Sequence, residues 1–376
     1  MNKTLTSLQI FIIAVGFSLL LACNVEYQSL AGTAIKVNAN EKSGILFSEI
    51  FDSIRYVKLE TTDDILLGGI EVIKYANNRI YILDRRKALF SFDATTGKCL
   101  WKIQSIGQGP KEYIQPMSID IDEKNERLYL FCHGEKIIEY DLSGNFIKAY
   151  NVRLWGINIA AANDYLYIYT GNTLNWINNQ KSYNYLLIYN KKDNSLTAEL
   201  PFEDNLSHGT IRIYNSSNAF YHHNDEVRFF SPYSYNIYSI KGDMVDIAYR
   251  FDFGKLNLPK EFGDYRQKDL EQINYAYGLN SAWENDRYFG AALQINQLPY
   301  NILLDKKEGR VMSGHFYDDI GECINQFEQA TNDFAMGYIP TEILFMHKNE
   351  NTFVKKITSE LKEDDNPVVF FYYFKK

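Results

Sequence analysis

One pattern of strands recurs along the chain and constrains its fold more than any other feature. A strand rich in aromatic and β-branched residues is followed by a second strand that ends in an aromatic residue or Leu, a tight turn, and a third strand. The clearest copies span Arg79–Ile103 and Arg127–Tyr150. The second strands end at five anchor residues, which lie 48, 49, 49 and 66 residues apart: Phe92, Tyr140, Tyr189, Tyr238 and Leu304.

A repeat of this length, built from short strands, predicts the blade of a β-propeller. Gly recurs four or five residues after most anchors, which is typical of hairpin turns because Gly tolerates a positive φ. One such sheet cannot bury both of its faces alone, so the blades must stack around an axis. A β-sandwich with coincidental turns is the competing interpretation, and the near-regular intervals argue against it.

The two ends of the propeller region supply one further blade. Five anchors account for five blades, while Ile54–Leu59 and the strongly β-prone run Val368–Phe374 remain unused. We predict that these segments pair in a sixth blade, with the early segment as its outer strand, because such closure removes open sheet edges. The predicted fold is therefore all-β: a six-bladed β-propeller with a few helical insertions, its ring closed by N- and C-terminal strands in the last blade.

The N-terminus has the pattern of a secretion signal. Lys3 precedes an apolar stretch, Leu8–Leu21, that is too short to span a bilayer comfortably. The stretch runs into Leu20-Leu21-Ala22-Cys23, which resembles the lipobox of bacterial lipoproteins. An ordinary signal peptide with an incidental Cys23 is the alternative. The favoured organisation is a signal peptide at 1–22, a tether lipidated at Cys23 over 23–45, and the propeller at 46–376.

Acylation of Cys23 predicts a location in the cell envelope. Two or more acyl chains on one residue anchor a protein stably, so we expect a lipid-anchored protein of the outer membrane. Of the three residues that follow Cys23, only Glu26 is acidic, whereas surface-export signals of such bacteria are usually richer in acidic residues. The choice between the periplasmic and the surface side therefore stays open. A net charge of −8 without a dense Lys/Arg block excludes nucleic acid as the expected partner. The other cysteines are predicted to be free thiols.

Several segments resemble a known protein family. The segments 52–69, 107–113 (GQGPKEY), 253–259 and 364–369, together with the blade strands, are similar to the six-bladed β-propeller lipoproteins of gut Gram-negative bacteria. Those proteins are distant relatives of NHL-repeat propellers. The resemblance covers roughly residues 45 to 376. It implies the fold more than a function, since the family has no generally established activity. Lys111 stands where the family usually carries Gly, which predicts a locally altered loop.

Propeller geometry assigns the irregular segments to one face. With the strands of each blade at positions a to d from the axis outward, b–c loops and d–a connections emerge on one side, here called the insertion face. The a–b and c–d turns emerge on the other, the turn face. Gly171–Asn184 lengthens a b–c loop, Lys255–Asn274 a d–a connection, and Pro340–Lys362 forms the helical b–c connection of blade 6. Insertions in repeat proteins collect on the binding face.

The insertion face supplies the candidate ligand-binding residues. Aromatic rings with amide and guanidinium donors suit a sugar or peptide, although each residue alone fits an ordinary exposed loop position. The candidates are Arg85, Arg86, Gln108, His133, Trp176, Tyr183, Tyr233, Gln294 and Asn296.

The sequence contains no recognisable catalytic motif. Gly-x-Ser-x-Gly, a phosphate loop, Cys-x-x-Cys and His-Glu-x-x-His do not occur. His222 and His223 are adjacent on a strand and should point to opposite faces. Asp120-Ile-Asp122 lacks the later ligands of a calcium loop and is interpreted as a strand end and turn. We therefore predict no catalytic residue, metal site or cofactor.

Three hypotheses for function follow. The leading one is a monomeric, membrane-anchored envelope lipoprotein that acts as a non-catalytic binding or scaffold propeller for glycan or peptide ligands. The second is a propeller enzyme, a hydrolase or lyase with or without a metal, that uses the axial channel. The third is a protein–protein scaffold within an envelope complex.

Overall fold

Six antiparallel sheets form the body of the molecule and are arranged as the blades of a β-propeller. The computed structural model describes residues 34–39, 44–171, 173–202, 218–232, 234–258, 274–321, 326–347 and 351–376. The first strands of neighbouring blades contact one another, which places them around the axis. The predicted all-β, six-bladed fold is confirmed.

The strands follow the chain in blade order. Before the first complete blade come β1 (Ala34–Lys36), β2 (Gly44–Leu46), a 3₁₀ turn (Phe47–Glu49) and β3 (Phe51–Lys58). Blade 1 contains β4 (Ile70–Ala76), β5 (Arg79–Asp84), β6 (Leu89–Asp93) and β7 (Cys99–Ile103). Blade 2 contains β8 (Pro116–Asp122), β9 (Arg127–Cys132), β10 (Lys136–Asp141) and β11 (Phe146–Tyr150). Blade 3 contains β12 (Asn158–Ala162), β13 (Tyr165–Tyr169), the inserted hairpin β14 (Asn175–Ile177) and β15 (Gln180–Ser182), β16 (Asn184–Asn190) and β17 (Leu196–Pro201).

The second half continues in the same order. Blade 4 contains β18 (Phe220–His223), β19 (Glu226–Phe229), β20 (Asn236–Lys241) and β21 (Met244–Asp252), and a 3₁₀ turn (Gly254–Leu256) follows. Blade 5 contains β22 (Ala276–Glu284), β23 (Tyr288–Ile295), β24 (Leu298–Asp305) and β25 (Arg310–Tyr317). Blade 6 contains β26 (Gln329–Ala330), β27 (Phe334–Ile339), helices α1 (Thr341–Met346) and α2 (Thr352–Thr358), β28 (Val368–Phe374) and the early strand β3.

Asp follows three of the five anchors, and in blades 1 and 2 it closes the turn between the third and fourth strands of the blade. Asp93 Oδ1 accepts hydrogen bonds from the backbone N–H groups of Thr95 and Thr96, at 3.0 and 2.7 Å. Asp141 Oδ1 does the same for Ser143 and Asn145. Such side-chain acceptors stabilise turns by bonding the backbone locally. This explains why the anchor pattern marks the blades.

Neighbouring blades pack through apolar side chains that repeat with the blades. Tyr81, Tyr129 and Tyr167 occupy the same position in the second strands of blades 1 to 3, and all are at most 1% exposed. Each ring lies in an apolar cluster, and large aromatic rings contribute strongly to such packing. The core of the protein is therefore a set of layers between blades.

The ring is closed as the sequence predicts. Strand β28 pairs antiparallel with β3, with Val368 opposite Lys58 and Phe374 opposite Phe51. Gly97, in the c–d turn of blade 1, has a φ of +74°. A Cβ at Gly97 would lie 1.9 Å from the carbonyl oxygen of Lys58, so this close approach of blades 6 and 1 requires glycine.

The segment before β3 also contacts the blades, which the sequence analysis did not anticipate. Strand β1 pairs in parallel with β21 of blade 4, and β2 pairs in parallel with β25 of blade 5. The chain then becomes the outer strand of blade 6. We call the described parts of residues 34–58 the N-terminal belt. Within it, Phe47 is fully buried.

Two of the three predicted insertions lie in b–c connections. The hairpin β14–β15 lengthens the b–c loop of blade 3, and α1 and α2 connect β27 to β28 in blade 6. Most of the third predicted insertion, 259–273, lies outside the described residues. Within the described ranges, no helix has the length and apolar character needed to cross a membrane.

Candidate functional site

A cavity of about 420 Å³ opens at the ends of the innermost strands. The residues around it belong to five of the six blades and include the a–b turns, so the cavity lies on the turn face, opposite the insertions. We call it the axial cavity. Its lining consists of Lys74–Asn77, Asp120–Lys124, Ala161–Asn163, Asn218, Tyr221, His222, Asn224, Asp225, Glu328 and Gln329.

A carboxylate and an imidazole meet in this cavity across an intervening blade. Asp120 on β8 is fully buried, and its Oδ2 accepts a 2.8 Å hydrogen bond from the backbone N–H of Ala161 on β12. The Nε2 of His222, on β18, lies 2.7 Å from the same oxygen. The small side chains of Ala160–Ala162 leave room for this contact between blades 2 and 4.

The charges of this pair stabilise each other. Burial alone would raise the pKa of Asp120, but His222 and Lys74 hold that pKa below its ordinary value. Burial alone would lower the pKa of His222, but Asp120 raises it above its ordinary value. An opposite charge at this distance favours the ionised form of both partners. Both shifts favour an ion pair over a neutral contact.

Lys74 extends the network to two further blades. Its Nζ lies 2.7 Å from Asn218 Oδ1 and 3.6 Å from Asp120 Oδ1. Asn218 Nδ2 in turn donates to the backbone carbonyl of Glu328, at 3.0 Å. A buried ammonium group needs such acceptors because it has lost its hydration. The polar groups of the cavity are thus fixed by contacts among blades 1, 2, 4 and 6.

Glu328 differs from its neighbours in the cavity. Burial raises the pKa of its carboxyl group above the ordinary value, and Lys74 opposes the shift. Among the described residues, no side chain or N–H group hydrogen-bonds to this partly buried carboxylate or forms an ion pair with it. The adjacent Gln329 amide, in contrast, bonds to both the N–H and the carbonyl of Tyr75, at 2.8 and 2.9 Å.

The two adjacent histidines have different surroundings. His222 faces Asp120, whereas His223 Nε2 lies 3.5 Å from Glu284 Oε1 in a separate network between blades 4 and 5. The alternation of side chains along β18 accounts for this separation. In the described part of the chain, no group of three or more His, Cys, Asp and Glu side chains is placed to hold a metal ion. Its cysteines, Cys99 and Cys132, are free thiols.

One of the residues predicted on the insertion face, His133, packs against an exposed tryptophan. The His133 ring packs edge-on against Trp155, with centroids 4.6 Å apart. Asn175, on the inserted hairpin, bonds to the backbone N–H and carbonyl of Trp155. The next residue, Trp176, is exposed, as is Tyr183 at the end of the same insertion. The contacts of Trp155 with His133 and Asn175 join blades 2 and 3.

The other predicted residues are spread over separate blades. Arg85 and Arg86 lie in the b–c turn of blade 1, where Arg85 Nε is 3.7 Å from a Glu71 oxygen. Gln108 lies between blades 1 and 2. Gln294, at the end of β23, and Asn296, in the following turn, belong to blade 5. Tyr233 and Cys23 lie outside the described residues.

The sequence analysis named the axial channel only in the enzyme hypothesis and assigned no residues to it. The charged residues of the axial cavity lie on the innermost strands of the blades. The repeat pattern, in contrast, draws attention to the second and third strands. One signal was available. Lys74, Asp120 and His222 interrupt inner strands that are otherwise rich in apolar or small residues, and a buried polar residue is more informative than an exposed one.

Comparisons with known proteins agree at the level of family and fold. The profile of a family described as "Domain of unknown function (DUF4934)" matches residues 33–373. A crystal structure from Bacteroides fragilis, of a protein provisionally named as exported, has a TM-score of 0.72 and 18% sequence identity, with 91% of this chain and 99% of that chain covered. A DUF4221 family member from Bacteroides vulgatus has a TM-score of 0.47 and 8% identity, covering 87% and 98%. No curated protein matches the chain.

Proposed function

The chain belongs to the family described as "Domain of unknown function (DUF4934)", and we propose that it is an exported binding protein of the cell envelope. Its axial cavity takes a small polar ligand, a fragment of a glycan or a peptide. The observation that carries this proposal is the cavity itself, about 420 Å³ in volume and lined largely by charged and amide side chains.

The geometry of the cavity supports binding. Small-molecule sites usually have volumes of roughly 300 to 1,000 Å³ and use a few well-placed polar groups for orientation. Here Lys74, Asp120 and Asn218 hold one another in place before any ligand arrives. Such preorganisation lowers the entropic cost of binding. The aromatic pair of His133 and Trp155 and the exposed Trp176 on the inserted hairpin offer further contacts for a longer glycan or a partner protein.

A bulky side chain in the axial cavity tests the binding function. Ala162 lines the cavity, so Ala162→Tyr should fill part of it and weaken binding at least about tenfold. Ala198→Tyr, on the outer strand of the same blade, is the matched control and should leave affinity unchanged. Titration calorimetry with a panel of oligosaccharides and short peptides measures both. If no member of the panel binds the natural protein, the proposal is wrong.

The same cavity also suits a second candidate function, catalysis. An imidazolium ion held by a buried carboxylate can serve as a general acid, and His222 with Asp120 has this arrangement. Turnover of a bound oligosaccharide or peptide, lost in His222→Ala while binding persists, would favour a hydrolase or lyase. Binding without turnover favours the leading proposal. Kinship with NHL-repeat propellers stays a prediction.

We place the protein in the envelope through a lipid on Cys23, most simply at the outer membrane. The signal-like N-terminus and the exported relative from Bacteroides fragilis support this placement. In Cys23→Ser we expect the protein to leave the membrane fraction and to lose labelling by fatty acid. Cys99→Ser is the matched control and should stay anchored. Equal membrane association of the two variants would contradict the proposal, and protease treatment of whole cells would tell surface from periplasm.

A further inference from the structure

The Glu328 carboxylate is the group in the axial cavity that most needs a partner. We propose that the cavity recognises a protonated amine, which the Glu328 carboxylate binds directly. This inference rests on the proposed binding function and names the chemical class of its ligand. Amino sugars and peptides with a free amino group both carry this ammonium group.

The other acidic residues around the cavity already have partners or face solvent. Asp120 is matched by His222 and Lys74. Asp122 accepts two hydrogen bonds from Asn125, at 3.2 and 2.8 Å, within its own turn. These carboxylates stabilise the protein and do not require a ligand.

Two more acidic residues lie at the rim. Glu123 accepts a 3.0 Å hydrogen bond from the backbone N–H of Asn77. Asp225 is exposed, so water can solvate it. Glu328 alone among the acidic lining residues is partly buried and lacks both a hydrogen-bond donor and an ion-pair partner among the described residues. An ammonium group would satisfy it through charge-assisted hydrogen bonds, which are stronger than neutral ones.

The charge balance of the cavity points to the same ligand. Five acidic side chains line it, against Lys74, Lys124 and the His222 imidazole. Lys74 is engaged by Asn218 and Asp120, so it offers little to an anionic ligand. A negatively charged ligand would face net repulsion, whereas a cation would be attracted into the cavity.

Binding should also change the protonation of Glu328. Burial raises the pKa of Glu328, so this carboxyl group takes up a proton at a higher pH than an exposed glutamate does. The titratable groups nearby are Lys74 on β4, Asp120 on β8, His222 on β18 and Tyr338 on β27. Because an ammonium ligand favours the ionised carboxylate, its binding should release protons. A neutral ligand should release fewer.

The test compares probes that differ only at the amine. Glucosamine disaccharide is paired with its N,N′-diacetyl form, and Gly-Gly with N-acetyl-Gly-Gly, at pH 6, where the probe amines are protonated. Calorimetry should show the amine of at least one pair binding about tenfold or more tightly than its acetylated form. The pair that responds distinguishes an amino-sugar from a peptide source.

A matched pair of variants assigns the effect to one residue. Glu328→Gln should remove the preference for the amine, while Asp225→Asn, at the exposed rim, should change it less than about threefold. Titrations in two buffers of different ionisation enthalpy measure the released protons in the natural protein, so the test does not depend on the folding of Glu328→Gln. Equal binding of amine and acetylated probes overturns this inference but leaves the proposed function standing. If no probe binds, this inference is wrong, and the wider panel of oligosaccharides and short peptides then decides the proposed function.

Discussion

Replacing Glu284 with alanine is expected to lower the free energy of unfolding by about 3 to 5 kcal/mol, the cost of leaving buried charges without their partner. Glu284 is 3% exposed and lies between blades 4 and 5. It accepts hydrogen bonds from Lys306 Nζ at 2.9 Å, Arg228 Nε at 3.2 Å and Tyr249 OH at 2.5 Å. Its removal leaves the buried Lys306 without its carboxylate partner and deprives Arg228 of one of its two, since Arg228 also pairs with Glu226.

The size of this effect is measured by denaturant titration against a surface pair. Glu308→Ala removes a partner of Arg310, where both side chains are more than half exposed and the charged atoms are 3.7 Å apart. Such pairs contribute less than about 1 kcal/mol. A loss in Glu284→Ala no greater than in this control would contradict the assignment of a buried ionic network.

The same network predicts a dependence on pH. Burial alone would raise the pKa of Glu284, but Lys306, His223 and Arg228 hold it below the ordinary value. A depressed pKa gives stability that is present above the unfolded value, about pH 4.3, and is lost as the pH falls through the folded value. The stability difference between the natural protein and Glu284→Gln should therefore shrink below that pH.

Replacing Phe47 with alanine is expected to destabilise the protein by about 3 to 5 kcal/mol, as for other buried Phe residues. The ring is fully buried, and its centroid lies 5.3 to 5.4 Å from four aromatic rings: Phe51, Phe316, Phe327 and Tyr372. These rings belong to the belt, to blades 5 and 6, and to the segment that connects those two blades. The substitution leaves a cavity where the belt meets the closing sheet.

The neighbouring residue provides the control for this second substitution. Leu46 is 41% exposed, so Leu46→Ala should cost less than about 1 kcal/mol. Thermal and denaturant unfolding should place the two variants clearly apart. If Phe47→Ala unfolds like Leu46→Ala, the belt is not packed onto the blades as described.

The architecture was predictable because it repeats. The turn residues after each anchor recur at near-regular spacing, and Ile54–Leu59 and Val368–Phe374 were left outside the five repeats, which indicated that they share a sixth sheet. The belt was not predictable in the same way. Strands of three residues such as Ala34–Lys36 carry too little alternation to register as a pattern, and their pairing partners lie more than 200 residues away.

The residues that line the axial cavity were not predicted, for a related reason. Asp120 and His222 are 102 residues apart, and nothing in their spacing shows that the first strands of blades 2 and 4 meet across the single blade that separates them. The length of the insertions drew attention to the opposite face. Long loops are visible in the sequence as insertions. The contacts among the inner strands, in contrast, form only because the ring is closed. Polar residues on inner strands are therefore the better guide in such folds.

The N-terminal belt determines where a force applied to the N-terminus acts on the propeller. From Ala34 onward the chain runs along the outer strands of blades 4 and 5 before it completes blade 6. A force on the N-terminus, from any attachment there, acts first at the circumference of the ring. We expect it to separate the short parallel pairs β1–β21 and β2–β25 one after the other. The strands around the axis are loaded last. We therefore expect the inner strands to keep their arrangement when a tethered molecule is under shear.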